Sequence, residues 1–168
     1  MDQPTGPSSS SKGGFDMGAM SLADKLLLVG GVLLLIDIFM PWQGVCFGPL
    51  GCYNIKATSG SGGIFGILML IGVLGLIVWE IMQAMGQSMD VGGMAPAKVS
   101  GFLGLAVAVL GILKFLMAAF TVGRWGAWVG LILILVIAYG AFLKLKESGV
   151  MPTTPPAAPM GGGDAPIA

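Results

Sequence analysis

Apolar residues form four long, nearly unbroken runs along this chain, separated by short polar segments. The runs cover residues 22–41, 63–83, 99–120 and 125–143. A helix needs about 20 largely apolar residues to cross the hydrocarbon core of a bilayer. Strands that cross a membrane would instead alternate apolar and polar positions over short segments. The pattern therefore predicts four transmembrane helices, and the alternative for any one run is a re-entrant or interfacial segment.

The two ends of the chain differ from its middle. Residues 1–20 include a run of four serines flanked by Gly and Pro, and residues 149–168 are rich in Pro, Gly and Ala. Such segments cannot bury enough apolar surface to offset their chain entropy. We expect a disordered tail before and another after a membrane domain that covers residues 21–148. We also expect no cleavable signal peptide.

The composition agrees with this division. Only 10% of the 168 residues are charged, the formal net charge is zero, and the mean hydropathy is +0.92. A soluble domain carries about 25% charged residues, and a nucleic-acid binder needs a basic face. The composition excludes both classes and also a wholly disordered regulator. The prediction is an all-α fold, a four-helix transmembrane bundle that has the lipid bilayer as a partner and no nucleic acid.

The basic residues predict the orientation of the bundle. Four spans place both termini on one side of the membrane. That side holds Lys12, Lys25, Lys98, Lys144 and Lys146, whereas the other side holds Lys56 and Arg124. Cytoplasmic loops carry the excess of basic residues. We therefore expect a multi-pass plasma-membrane protein with cytoplasmic termini and extracytoplasmic loops at residues 42–61 and 121–124.

The chain has two cysteines, Cys46 and Cys52, and both lie in the loop at 42–61. An oxidising compartment favours a disulfide between them. The ring is short, so the bond is worth about 2 kcal/mol. Catalytic thiols need an activating electropositive setting and are typically spaced more closely, so a structural disulfide is preferred over thiol redox exchange. Trp42 and Tyr53 are predicted to lie at the membrane interface.

Two ionisable residues, Asp37 and Lys114, lie well inside the apolar runs. A charge at the bilayer centre costs at least about 2.5–3.5 kcal/mol, so it usually has a partner or a function. With about 1.5 Å of rise per residue, Asp37 lies about 6 Å and Lys114 about 9–10 Å below the outer ends of their spans. These similar depths predict an ion pair. The alternative is that each side chain extends separately to the outer interface.

Glu80 lies near the inner end of the second run. Charges are tolerated at that depth. We therefore predict an interfacial carboxylate beside Lys98 or Lys25, with a proton or cation site as the alternative.

Small residues recur at helical spacing within the spans. The predicted packing positions are Gly62, Gly66, Gly101, Gly104, Gly111, Gly126 and Gly130. Because lipid tails are as apolar as leucine, membrane helices associate through small residues that allow close approach. The alternative for such a stripe is the lining of a solute path.

The chain offers little catalytic chemistry. It has no histidine and no phosphate-binding loop, so no catalytic, cofactor-binding or metal-ligating residues are predicted. The preferred function is a non-enzymatic structural or accessory subunit that binds other membrane subunits or forms a homo-oligomer. The alternatives are a small oligomeric transporter or channel that uses Asp37, Lys114 and Glu80, and, third, a thiol redox protein that uses Cys46 and Cys52.

The first span also carries a resemblance. The stretch ADKLLLVGG at 23–31, continuing to FMPW at 39–42, resembles the first span of small uncharacterised bacterial four-span membrane proteins that end this span in Phe/Leu-Pro-Trp. The resemblance implies a bacterial inner membrane and implies no activity.

Overall fold

The computed structural model describes residues 18, 20–87, 91–119 and 124–150. Its elements are α1 (Leu22–Ile38), β1 (Pro41–Cys46), β2 (Cys52–Lys56), α2 (Gly63–Ala84), α3 (Pro96–Ala119) and α4 (Trp125–Glu147). A short 3-10 turn at Gly48–Leu50 joins the strands. Most of the predicted tails and of the loop at 121–124 lies outside the described residues.

Among the described helices, α2, α3 and α4 are long and apolar enough to cross a membrane. These three helices fit a membrane protein. The remaining helix, α1, has 17 residues and ends at Ile38 instead of continuing to Pro41 as predicted. The residue before a proline is biased away from helical backbone angles, so the helix stops ahead of Met40 and the chain enters β1.

The helices pack as a ring in which each contacts two neighbours. The main contacts join α1 to α2, α2 to α3, α3 to α4, and α4 back to α1. Side chains such as Leu34, Val73, Val107 and Ile137 fill the interior with no exposed surface. The outer surface is also apolar and exposes residues such as Ile71. A helix that is apolar on every side suits a lipid environment.

A β-hairpin that the all-α prediction missed follows α1. Strands β1 and β2 pair antiparallel, with Val45 opposite Tyr53 and Cys46 opposite Cys52. The Cys46–Cys52 disulfide joins the ends of the strands, which confirms the predicted bond. Gly48 and Gly51 have φ values of +55° and +91°, which favour glycine and permit the tight turn.

The hairpin is attached to the helices by its first strand. Trp42 is fully buried against the helices, and its indole Nε1 donates to the main-chain carbonyl of Asp37 at 3.1 Å. The carbonyl of Trp42 accepts from the backbone N–H of Arg124 at 3.0 Å, just ahead of α4. Tyr53, on β2, is 69% exposed. We call this end of the molecule the hairpin end. The other end, where α1 begins and α4 ends, is called the opposite end.

Candidate functional site: polar groups buried among the helices

Buried polar side chains of the described residues lie at both ends of the helices. They are Asp37, Gln43, Glu80, Ser100, Lys114 and Lys144. Asp37, Gln43 and Lys114 belong to the hairpin end. Glu80, Ser100 and Lys144 belong to the opposite end, together with the partly buried Asp24.

Lys114 fastens the segment at 57–62, between β2 and α2, to helix α3. Its ammonium group donates to the carbonyl oxygens of Ser59 at 3.1 Å and Ser61 at 2.7 Å. The Gln43 side-chain amide also donates to the Ser61 carbonyl, at 3.3 Å. The lysine therefore satisfies main-chain acceptors of this segment.

The structure does not bring Asp37 and Lys114 together as the predicted ion pair. The ammonium is occupied by the two loop carbonyls, and the ion pair found among the described residues joins other side chains. The depth estimate placed both residues at similar levels. That estimate could not show that segment 57–62 packs against α3 and that its carbonyl oxygens accept the hydrogen bonds of the lysine.

Two of the predicted packing glycines serve this same segment. Gly62 has φ of +70° at the start of α2. A Cβ on Gly66 would lie 2.7 Å from the main-chain carbon of Ala57. Gly66 therefore allows the segment to lie against α2. A Cβ on Gly62 would lie 3.0 Å from Met117 of α3, so Gly62 lies at a helix contact as predicted.

The remaining packing glycines lie where α4 approaches its neighbours. A Cβ at Gly101 would lie 2.7 Å from Leu145, one at Gly104 3.0 Å from Ala141, and one at Gly111 2.6 Å from Ile134. Gly126 faces the main chain of Pro41, and Gly130 faces Trp42 and Asp37. Close approach of α3 to α4, and of α4 to the hairpin, therefore depends on these positions.

Asp37 is buried near the end of α1 and is 2% exposed. Neither carboxylate oxygen accepts a hydrogen bond of good geometry, because the nearby indole N–H of Trp42 is directed at the main-chain carbonyl. A Cβ on Gly130 would come within 2.6 Å of Asp37 Oδ2. The absence of a side chain at Gly130 therefore provides the space that the Asp37 carboxylate occupies.

A groove between α1 and α4 reaches this carboxylate. It has a volume of about 210 Å³. Apart from Asp37 its lining is apolar, and the lining residues are Leu33, Ile36, Asp37, Met40, Trp125, Val129 and Leu133. The carboxylate oxygens of Asp37 are themselves buried, so the carboxylate lies beneath an apolar groove.

At the opposite end, Asp24 on α1 forms an ion pair with Lys144 on α4 through its Oδ1 atom. Asp24 Oδ2 accepts from the backbone N–H of Ser21 at 3.1 Å and from its hydroxyl at 2.7 Å. The Ser21 hydroxyl oxygen in turn accepts from the Asp24 N–H at 3.2 Å. This capping box starts α1 and fixes the orientation of the carboxylate.

Glu80 on α2 lies beside Asp24, Lys144 and Ser100 and is only 1% exposed. Neither of its carboxylate oxygens accepts a hydrogen bond of good geometry. The structure thus replaces the predicted interfacial carboxylate beside Lys98 or Lys25 with a buried one. The predicted span ended at residue 143, whereas α4 continues to Glu147 and carries Lys144 into the interior.

Ser100 on α3 accepts two hydrogen bonds from α2. The donors are Trp79 Nε1 at 3.1 Å and Gln83 Nε2 at 2.7 Å. We call Asp24, Glu80, Ser100 and Lys144 the polar cluster, to which each of the four helices contributes one residue.

Among the described residues, no group of three or more His, Cys, Asp or Glu side chains is placed to hold a metal ion. The chemistry that the two ends offer is that of single buried carboxylates, which can accept a proton or pair with a cation.

No protein-family model, curated protein or solved structure matches this chain.

Proposed function

We propose that this chain is a four-span membrane protein that acts as a non-enzymatic accessory subunit of a membrane complex. Helices α2, α3 and α4 have the required length and apolar character. The 17 residues of α1 extend about 25 Å at 1.5 Å per residue, close to the shortest helices that span a bilayer. Contacts with both α2 and α4 support α1 as the fourth member of the same layer.

The proposed orientation has both termini in the cytoplasm and the hairpin outside. The disulfide of the hairpin suits an oxidising compartment. Lys98 and Lys146 belong to the opposite end, where the positive-inside rule expects basic residues. Both observations support the same direction of insertion.

The accessory role rests on the Asp37 carboxylate in the α1–α4 groove. A buried carboxylate at this depth is costly unless it is paired. Each basic side chain described at the hairpin end is engaged elsewhere: Lys114 with loop carbonyls, Lys56 over the Phe39 ring, and Arg124 beside Cys46 Sγ at 3.8 Å. We propose that a cation from outside the described part of the chain supplies the counter-charge, and neutralisation of Asp37 by a proton is the alternative that the experiment below tests.

The occupant that fits this groove is a transmembrane helix of a partner subunit that carries a Lys or Arg side chain. Its apolar surface would cover the lining of the groove, and its cation would meet Asp37. Polar contacts of this kind hold membrane helices together where apolar contact alone does not discriminate protein from lipid.

The experiment is purification of the tagged protein in a mild detergent, with mass spectrometry of the chains that accompany it. We expect a partner in fixed ratio with the wild type, and its loss in Asp37→Asn. Glu147→Gln is the matched control, because it neutralises an exposed carboxylate at the far end of α4. Retention of the same partner by Asp37→Asn would contradict the docking role.

A small oligomeric transporter is the second candidate, and the buried Glu80 favours it. A homo-oligomer free of other chains would support this reading over the accessory role. Flux into proteoliposomes that is lost in Glu80→Gln and kept in Glu147→Gln would establish it.

A further inference from the structure

The polar cluster holds one more acidic group than basic groups. Asp24 and Lys144 neutralise each other through their ion pair. Ser100 is neutral, so Glu80 is left without a counter-charge although it is almost fully buried. From the elements packed around it, the charged groups that lie beside Glu80 are Asp24 of α1 and Lys144 of α4, and α3 contributes Ser100.

The hydrogen bonds of the cluster favour a proton over a metal cation as the missing charge. A hydroxyl oxygen has two acceptor positions, and those of Ser100 are taken by Trp79 and Gln83. Asp24 is likewise occupied, because Oδ2 accepts from Ser21 and Oδ1 faces Lys144. A metal ion needs several oxygen ligands, and within the polar cluster only the Glu80 carboxylate has neither a hydrogen bond nor an ion pair.

An open cavity lies on the side of the polar cluster where α2 ends and α3 begins. It has a volume of about 150 Å³ and is lined by Gln83, Gly86, Gln87 and Pro96. The Gln83 side chain that lines it also donates to Ser100, and Ser100 lies beside Glu80. The cavity is therefore separated from Glu80 by two side chains, Gln83 and Ser100.

We propose that Glu80 is a proton-binding site that is loaded through this cavity. The proton adds to one carboxylate oxygen of Glu80 and gives the neutral acid, and no other bond is made or broken. The site is independent of the Asp37 groove, so it stands whether or not the chain is an accessory subunit.

The chain has two glutamates, Glu80 and Glu147, which allows a direct test. In the Glu147→Gln protein, carbon-13-labelled glutamate reports Glu80 alone and leaves the cluster unaltered. In the Glu80→Gln protein, the same label reports the exposed Glu147. Infrared spectra of both, reconstituted in liposomes and cycled in pH, distinguish the carboxylic acid from the carboxylate of the labelled residue.

We expect the labelled Glu80 to show a reversible carboxylic-acid band at a pH where labelled Glu147 shows the carboxylate only. A Glu80 that stays ionised until Glu147 is also protonated would overturn the proposal. So would a band that responds to sodium or potassium at constant pH and not to protons, because that result would identify a metal cation. If Glu80→Gln does not fold, wild-type protein with both glutamates labelled provides the comparison, and a single step for both would overturn the proposal.

Discussion

The Lys144 ammonium group near the end of α4 is ion-paired with the Asp24 carboxylate in the first turn of α1. The pair closes the ring of helices at the opposite end, because α1 and α4 are the first and last helices described. It also determines the charge around Glu80, which lies beside both groups. Stability and the proposed proton site are therefore linked through one contact.

Loss of one member of this pair should be destabilising. In Lys144→Met the partly buried Asp24 carboxylate loses its cation but keeps its hydrogen bonds to Ser21. The cost in free energy of unfolding should therefore be smaller than the roughly 3 kcal/mol of a fully buried pair. Denaturation of the purified protein by increasing mole fractions of a strong detergent measures this quantity. Lys146→Met is the matched control, because Lys146 is exposed two residues further along the same helix.

The double variant Asp24→Asn, Lys144→Met separates pairing from packing. It should recover part of the stability lost in Lys144→Met, because no uncompensated charge remains. An equal loss in Lys144→Met and Lys146→Met would show that the ion pair contributes nothing.

Lys114 should act on the outer segment and not on Asp37. Lys114→Met removes the donor to the Ser59 carbonyl and one of the two donors to the Ser61 carbonyl. Both serines are exposed, so the loss should be about 0.5–1.5 kcal/mol for each hydrogen bond. We expect faster hydrogen exchange and proteolysis within segment 57–62, with the far ends of the helices unchanged. The charge swap Asp37→Lys, Lys114→Asp should not restore stability. Its recovery to the wild-type value would instead establish the pair that was predicted from depth.

Much of the fold can be predicted from apolar runs. The start of α2 at residue 63 and of α4 at residue 125 are as predicted, because long runs of apolar residues leave few alternatives. The hairpin was missed because β1 begins at the last residue of the first apolar run. Its residues do not alternate clearly between apolar and polar. The strands of the hairpin are held by the disulfide, which is local, and by contact with α4, which lies about eighty residues further along the chain. That second contact gives no signal in the local sequence.

The candidate site was predictable only in part. The sequence identified Asp37, Lys114 and Glu80 as unusual because charges are rare within apolar runs. Their surroundings depend on tertiary contacts. Lys114 donates to carbonyls more than fifty residues away in the sequence. Asp24 and Lys144 lie in the first and last helices of the domain. Ser100 gave no signal, since a single serine in an apolar run is common in membrane helices.

The contact between α3 and α4 should be sensitive to added volume at Gly111. A Cβ there would lie 2.6 Å from Ile134, so Gly111→Val forces the helices apart at about 1–3 kcal/mol. Gly75→Val is the control on α2, where an added Cβ meets nothing within 4 Å. Detergent denaturation compares the two variants, and Ile134→Ala should partly rescue Gly111→Val by vacating the space. Equal stability of the two glycine variants would refute close packing at this interface.

The Cys46–Cys52 disulfide should stabilise the hairpin without carrying an activity. Its ring is short, so the loss of chain-entropy stabilisation in Cys46→Ser, Cys52→Ser is about 2 kcal/mol. We expect this loss to appear as increased hydrogen exchange in β1 and β2, while the protein still inserts into membranes and retains any partner that depends on Asp37. The single variants should lose the same stability as the double variant, because each breaks the same bond. A thiol redox role requires a different pattern, in which one single variant traps a mixed disulfide with another protein and the double variant does not. Non-reducing electrophoresis of cross-linked material distinguishes these outcomes, and a trapped partner would reverse the structural assignment of the bond.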